Sequence, residues 1–412
     1  MLKSLTRIFP GWFVVLAAFL ITCVGFGCAY SFSAFVDPLE TAFGASRGSV
    51  SLVFSLAGFA YFALGAISGP LGDRIGARRV AVAGMLILTA GLLAASWARS
   101  LDQVCAAYGL GVGFGVGLSY VPAIAAVQRW FARRRALASG LAVSGIGVGT
   151  LVLPPLATFL VAHIAWRDAY RVLAAIALAG ALGAMLLRQR PEEFGLYPDG
   201  DVPVTSSTKR QPHPGVTIRV ALGSRIFATL YASCLLCGIG VFVPFVHLMP
   251  YAEDHGITAA AASILIALIG LGSTLGRFAL GGFADRIGRR GALIAMLLGL
   301  AGSMALWLLA TQFWSLAVFA FLFGTFYGGW VAVLPAVVMD AFGGANVGGI
   351  IGLLYTSVAI GTLVGPAAAG FLYDRTGGYG LAIVAACAAD LLAATLAALT
   401  PRAAASNLVR SV

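Results

Sequence analysis

Charge is what this sequence lacks. Only 10% of its 412 residues are Asp, Glu, Lys or Arg, against about a quarter in an ordinary soluble domain. Hydrophobic residues make up 60%, and the mean hydropathy is +0.97. That balance excludes a soluble globular protein and leaves a polytopic membrane protein in a lipid bilayer. Lysine is nearly missing: Lys3 and Lys209 stand against 24 arginines. The net charge of +11 sits mostly in short segments between apolar runs, so no nucleic-acid partner is expected. Cys234-x-x-Cys237 has the spacing of a redox or metal motif, but no second pair or histidine cluster completes it. All six cysteines (Cys23, Cys28, Cys105, Cys234, Cys237 and Cys387) fall within apolar runs and read as buried thiols. The run GLGVGFGVG at 109–117 has Gly-x-Gly spacing but no strand before it, which argues for close helix packing rather than nucleotide binding. No nucleophile–base pairing stands in a plausible setting. No cofactor, no metal and no enzymatic activity are expected.

What is present is a series of long apolar segments. A helical span needs about 20 mostly apolar residues. Twelve are read, at roughly 10–35, 49–71, 77–97, 104–128, 136–161, 168–188, 222–250, 258–284, 291–311, 314–339, 347–373 and 379–399. Lys3 and Arg7 precede an apolar run too long for a signal peptide and without a small-residue cleavage site, so it reads as span 1. The fold class is therefore an all-α membrane protein of twelve transmembrane helices. The domains are a six-helix bundle at 1–188, a cytoplasmic linker at 189–219 and a second six-helix bundle at 220–412. The linker, rich in proline, glycine and charge, is expected to hold little fixed structure. The segments at the N-terminus, after spans 2, 4, 6 and 8, and at the C-terminus hold 20 of the 26 Lys and Arg. By the positive-inside rule both termini are cytoplasmic.

The halves repeat. GPLGDRIGARR (69–79) aligns without gaps on GGFADRIGRRG (281–291) at an offset of 212, and Pro38 falls on Pro250. Parallel six-span repeats build one transporter architecture, with substrate held near the midplane between the halves. The two loop motifs resemble the loop 2–3 signature of the major facilitator superfamily. WFARRRALASGLAVSGIGVG (130–149) and the Pro10-Gly11-Trp12 opening of span 1 resemble the monocarboxylate porter family and its bacterial oxalate/formate-type relatives. That resemblance implies pseudo-symmetric halves rocking about a central site. It places Asp73, Arg74 and Arg78, with Asp285, Arg286 and Arg290, at gating clasps expected to hold the halves together by charge-assisted hydrogen bonds. Gly361, Gly365 and Pro366 in span 11 are expected to allow close helix packing and a bend.

Arg277 lies in the middle of span 8, where a guanidinium in hydrocarbon costs at least about 3 kcal/mol. Small residues share its helical face (Gly270, Ser273, Thr274, Gly281 and Ala284), so that face meets a cavity or a tight helix contact. At the repeat offset Arg277 corresponds to Gly65, and a one-sided arginine suits a substrate site better than a structural one. Its donors match a carboxylate in two parallel hydrogen bonds, and the family resemblance implies that role for an arginine in span 8. Asp390, midway through span 12, is the competing partner. Ser273 occupies the place where some monocarboxylate porters carry an acid. Tyr120, Tyr327 and Tyr355, phenols among small residues, are further substrate-binding candidates, whereas Phe326 and Trp330 are expected to pack. His247, near the outer end of span 7, is the candidate proton acceptor because imidazole titrates near neutrality; Asp37 is the alternative.

The reading is a secondary active transporter in a cell inner membrane. It carries a small lactate- or pyruvate-like monocarboxylate anion, with a proton, and needs no obligatory protein partner. Two alternatives stay open: an anion exchanger of the oxalate/formate type, and a non-transporting sensor on the same fold.

Overall fold

The computed structural model describes residues 9–131, 134–200, 216–343 and 346–401, without the side chains at 135, 136, 200 and 281–286. The first half comprises Gly11–Phe43, Arg47–Ile75, Ala77–Ser96, Leu101–Trp130, Arg135–His163 and Trp166–Ala184. The second comprises Arg225–Asp254, Ala259–Ile287, Arg289–Leu309, Phe313–Phe342, Val347–Thr376 and Gly380–Leu399. They are numbered spans 1 to 12. Eleven are long and apolar enough to cross a membrane. Span 6 differs because Arg167, Asp168 and Arg171 load its first two turns with charge, yet it packs in the first bundle against spans 1 and 3.

Local chemistry sets the span ends. Ser46, Ser224 and Thr258 each accept a hydrogen bond from the backbone N–H three residues on, the usual N-cap arrangement. Spans 2 and 8 both end on a glycine of the repeated Asp-Arg-Ile-Gly motif, Gly76 at φ +102° and Gly288 at φ +83°. A side chain is disfavoured at such angles, which explains the glycine at the turn into the next span.

Spans 1 and 7 extend beyond the expected boundaries because each continues past an interruption. Span 1 tightens into a 3-10 stretch at Ser31–Phe35, and span 7 breaks at Phe242, just before Pro244. At the repeat offset Tyr30 corresponds to Phe242, so both halves break their first helix at equivalent depth. The start of the linker departs from expectation. Pro191–Phe194 and Pro198–Gly200 form short 3-10 turns, and Phe194 tucks against Trp130 and under Arg188. Residues 201–215 lie outside the described residues.

The two bundles meet along two seams, span 2 against span 11 and span 5 against span 8. The repeat exchanges them, since spans 2 and 5 correspond to 8 and 11. Spans 3, 6, 9 and 12 stand on the outside. Glycine makes the seams close. A Cβ on Gly270 would lie 2.6 Å from the Gly147 carbonyl oxygen and from the Leu151 nitrogen, and one on Gly370 would lie 2.7 Å from the Gly48 Cα. Gly361 and Gly365 likewise bring span 11 onto the backbone of span 7. Backbone-to-backbone packing of this kind is how helices associate where no hydrophobic drive separates protein from lipid.

Gly270→Leu must force the span 5–8 seam apart, because the atoms it meets are backbone. The expected result is a fall of at least about 3 °C in the thermal midpoint of the detergent-solubilised protein. Gly302→Leu, where nothing lies within 4 Å, serves as the matched control and should not lower it.

Candidate functional site

Arg277 is 8% exposed, deep in the bundle. Its Nη1 donates to the Val143 carbonyl of span 5, across the seam, at 2.7 Å. Nε and Nη2 are buried and have no hydrogen-bond partner. Those two N–H groups lie side by side along one edge of the planar guanidinium, the edge that grips a carboxylate in two parallel bonds. Among the described residues no carboxylate forms an ion pair with Arg277. Asp390 does not reach it: span 12 lies on the outside, against spans 7 and 9, and the Asp390 carboxyl is packed against Gly240.

Arg277 lines a small cavity of about 30 Å³ between the halves. Tyr120, Tyr327 and Tyr355 line it as well, so the expected phenols and the arginine converge. Phe26, Phe62 and Trp330 supply apolar wall. Trp330 is thus a wall residue rather than only packing, as the sequence had led us to expect. Ser273 is not brought into the cavity. Its backbone abuts Gly328 of span 10 and its hydroxyl is buried without a partner. The volume holds about two waters, so a substrate anion requires the halves to part.

Aromatic residues that the sequence did not single out stand around the cavity: Phe26 lines it, and Tyr30 packs on its wall at Tyr327. Tyr30 in span 1 is fully buried, its hydroxyl 3.3 Å from that of Tyr327, and its ring stacks on Phe245 of span 7 at 4.3 Å. Phe26 sits edge-on to Tyr120 at 5.3 Å. A tyrosine among small residues in mid-span was as visible at Tyr30 as at Tyr120. Its relation to Tyr327 was not, because it joins residues 297 apart.

The end opposite the repeated loop motifs, called outer here by the arginine bias, is shut by a clasp centred on Arg47, which the sequence shows only as a charge at the start of span 2. Its guanidinium reaches Glu40 at 3.1 Å and Asp37 at 3.7 Å in its own half. In the other half it reaches Asp254 at 2.8 Å, the Tyr379 hydroxyl at 3.2 Å, and the face of Tyr373 at 4.3 Å. Asp374 of span 11 accepts from the Arg47 and Gly48 backbone N–H groups, at 3.1 and 3.0 Å. It therefore caps the positive end of span 2 from the opposite bundle.

His247 lies just inside this clasp, fully buried. Nε2 is 2.8 Å from the Pro366 carbonyl, which can only accept, so Nε2 carries a proton; Ser51 Oγ is 3.3 Å from the same nitrogen. Nδ1 is 3.0 Å from the Tyr379 hydroxyl. Burial pushes the Tyr379 phenol well above its ordinary range, so it remains a donor to Nδ1 while accepting from Arg47. His247 and Asp37 both belong to the outer clasp; neither lines the Arg277 cavity.

At the end of the bundles that carries the repeated loop motifs, the described contacts run within each half rather than between halves. Arg129 of span 4 pairs with Asp73, Arg78 donates to the Met185 carbonyl at 2.6 Å, and Arg290 donates to the Ala398 carbonyl. Arg74 lines a shallow surface cavity with Arg78, Arg79 and Glu193. The expected cross-half clasp is not what these groups make in this conformation, whose tie between the halves is on the outer side. The side chains of Asp285 and Arg286 lie outside the described residues.

The sequence matches the model of the Major Facilitator Superfamily over residues 17–251 and 228–410. Monocarboxylate transporter 12-B of Danio rerio is 30% identical over 90% of this chain and 82% of its own length. Monocarboxylate transporter 13 of Rattus norvegicus is 31% identical over 91% and 85%. Monocarboxylate transporter 11 of Mus musculus is 32% identical over 90% and 82%. With twelve helices in two repeated bundles around a buried central site, the chain belongs to the major facilitator superfamily, among its monocarboxylate transporter-like members, and is a multi-pass membrane transporter rather than an enzyme.

Proposed function

We propose that the protein carries a small monocarboxylate anion of lactate or pyruvate size across the membrane together with a proton, by alternating access. One observation carries this reading: the buried guanidinium of Arg277 stands at the central cavity, holds one donor on the opposite half and leaves its paired Nε and Nη2 donors without a partner. An unmatched guanidinium in a dry bundle costs several kcal/mol, and a carboxylate anion removes that cost. The flanking phenols can donate to the same anion, and the aromatic walls hold it to a small size.

A single arginine favours a single carboxylate. Among the described residues no second Lys or Arg lines the cavity, which weighs against a dicarboxylate exchanger. With arginine and anion neutralising each other, a co-transported proton is the remaining source of drive. His247 and Asp37, both reachable from outside once the clasp opens, are the proposed proton acceptors. The repeated cytoplasmic motifs (Asp73, Arg74, Arg78 and Asp285, Arg286, Arg290) are proposed to form the inner gate when the outer clasp releases. By the arginine bias, both termini face the cytoplasm, and a cell inner membrane is the proposed location.

The test is uptake of labelled L-lactate into proteoliposomes, with and without an inward proton gradient, against unlabelled mono- and dicarboxylates. Gradient-stimulated uptake blocked by other monocarboxylates is the expected result; uptake only into anion-preloaded vesicles means an exchanger. Arg277→Lys keeps the charge and loses the fork, so uptake should fall at least about tenfold with an unchanged size-exclusion profile. Wild-type uptake by Arg277→Ala would sink the anchor role. Arg47→Gln should release the outer clasp, and labelling of a cysteine introduced at Tyr30 by an impermeant thiol reagent should then speed up several-fold. Unchanged labelling would remove Arg47 from the gate.

A further inference from the structure

Asp390 is a carboxyl that the site described above does not use. It lies midway along span 12 and is fully buried, and neither of its oxygens has a partner of good hydrogen-bond geometry, the weak Cys237 thiol being the side-chain donor beside it. An ionisable side chain at membrane depth with no partner is costly, and such groups mark function by default. Its neighbours sharpen the point. The Cys237 thiol of span 7 lies beside it. A Cβ on Gly240 would fall 3.1 and 3.2 Å from the two carboxyl oxygens and 3.0 Å from the Ala386 carbonyl. Gly240 is thus the notch that admits the carboxyl.

The surroundings offer no counter-charge. Span 7 carries Arg225 at its cytoplasmic start and Glu253 and Asp254 at its outer end. Span 9 carries Arg289 and Arg290 only in its first turn, and span 11 carries Asp374 and Arg375 only in its last. At the level of Asp390 the titratable groups are thiols: Cys237, Cys234 and, on its own helix, Cys387, which donates to the Ala301 carbonyl of span 9. A carboxylate ion can only accept hydrogen bonds, and here a backbone carbonyl shares its notch. The neutral acid has an O–H that can turn to that carbonyl, one helical turn back.

The position matters for transport. Gly240 is two residues before the break in span 7 at Phe242, where Pro244 interrupts the helix. Beyond the break, Phe245 stacks on Tyr30 and meets Tyr327 edge-on at 5.5 Å, and Phe242 packs on Phe62. Of these rings, Phe62 and Tyr327 line the Arg277 cavity, and Phe242, Phe245 and Tyr30 pack against them. Movement at the Gly240 notch therefore has a route, through Phe242 and Phe245, to two residues that line the cavity.

Resting on the proton-coupled reading above, we propose that Asp390 is a proton-binding site of the transport cycle: it is protonated in this closed conformation and in the loaded carrier, and it must lose its proton, once the helices have parted, before the empty carrier returns. The step is a simple proton transfer: the carboxyl O–H bond breaks, the proton leaves to water admitted at the parted helices, and the carboxylate left behind gains hydration. Asp390 touches no substrate; it acts through the hinge of span 7.

The test uses the full chain in proteoliposomes. Asp390→Asn fixes the neutral form in nearly the same shape. Lactate counterflow, which needs no net proton movement, should stay within twofold of wild type. Accumulation driven by a proton gradient should fall at least tenfold, and the pH dependence of uptake should flatten. Gradient-driven accumulation and a pH profile equal to wild type overturn the proposal. So does loss of counterflow along with accumulation in a normally folded variant, since that marks a structural role. Infrared spectroscopy gives a readout that needs neither transport nor a stable variant in the membrane. The wild-type protein should show a carbonyl stretch of a protonated carboxylic acid, and selective isotope labelling of aspartate should shift it. Absence of such a band at neutral pH overturns the proposal. If wild-type protein shows no gradient-stimulated monocarboxylate uptake, the substrate reading fails, and the infrared band still decides the protonation of Asp390.

Discussion

A guanidinium inside a membrane bundle, with one donor bound and two open, is the constraint around which the rest of the structure is arranged. Arg277 cannot face lipid, so span 8 turns it inward, and the small residues Gly270 and Thr274 let span 5 come close enough for the Val143 carbonyl to take one donor. The remaining two donors need an anion of the right width. Aromatic side chains exclude bulk water around them, which strengthens any charge pairing made there. Because the Val143 bond crosses between halves, the residue proposed to meet the anion also senses how far apart the halves stand.

The bundles can move as bodies because their seams are narrow. Spans 2, 5, 8 and 11 meet through glycines at backbone contact, and smooth surfaces of that kind slide or rock without repacking large side chains. The outer end supplies the opposite quality. Arg47, with acids of both halves around it, makes directional contacts that either hold or do not. Smooth seams with discrete contacts at the rim give two preferred arrangements rather than a continuum. The one-sided placement of Arg277 fits the same picture, since its repeat counterpart is Gly65.

Much of this was legible in the sequence because it depends on local chemistry. Span length, the arginine bias and the 212-residue repeat need no tertiary information. Arg277 betrayed itself by its cost, and Tyr120, Tyr327 and Tyr355 by standing among small residues. What stayed hidden depends on which helix faces which. Arg47 looks like an ordinary charge at the start of a span until Asp254 and Asp374, more than 200 residues away, are seen beside it. Asp73 stands beside Arg74 in the sequence, but the helix turns it toward Arg129 on span 4. Ser273 shares the apparent face of Arg277 by spacing, yet the closeness of span 10 at Gly328 covers it. The first turns of the linker were missed because proline and glycine signal an irregular chain, without saying that Phe194 would dock on Trp130.

The clasp at Arg47 has a consequence for how the surroundings act on the carrier. Its ion pairs lie at the aqueous rim, with Asp37 and Asp254 partly exposed, at 44% and 33%. At physiological ionic strength mobile ions screen such charges over about 8 Å. Electrolyte outside the membrane therefore weakens the closed arrangement, whereas electrolyte on the other face does not reach it. On the proposed alternating-access cycle and orientation, the carrier reorients faster in a salty exterior than in a dilute one, with no ion bound and no substrate changed.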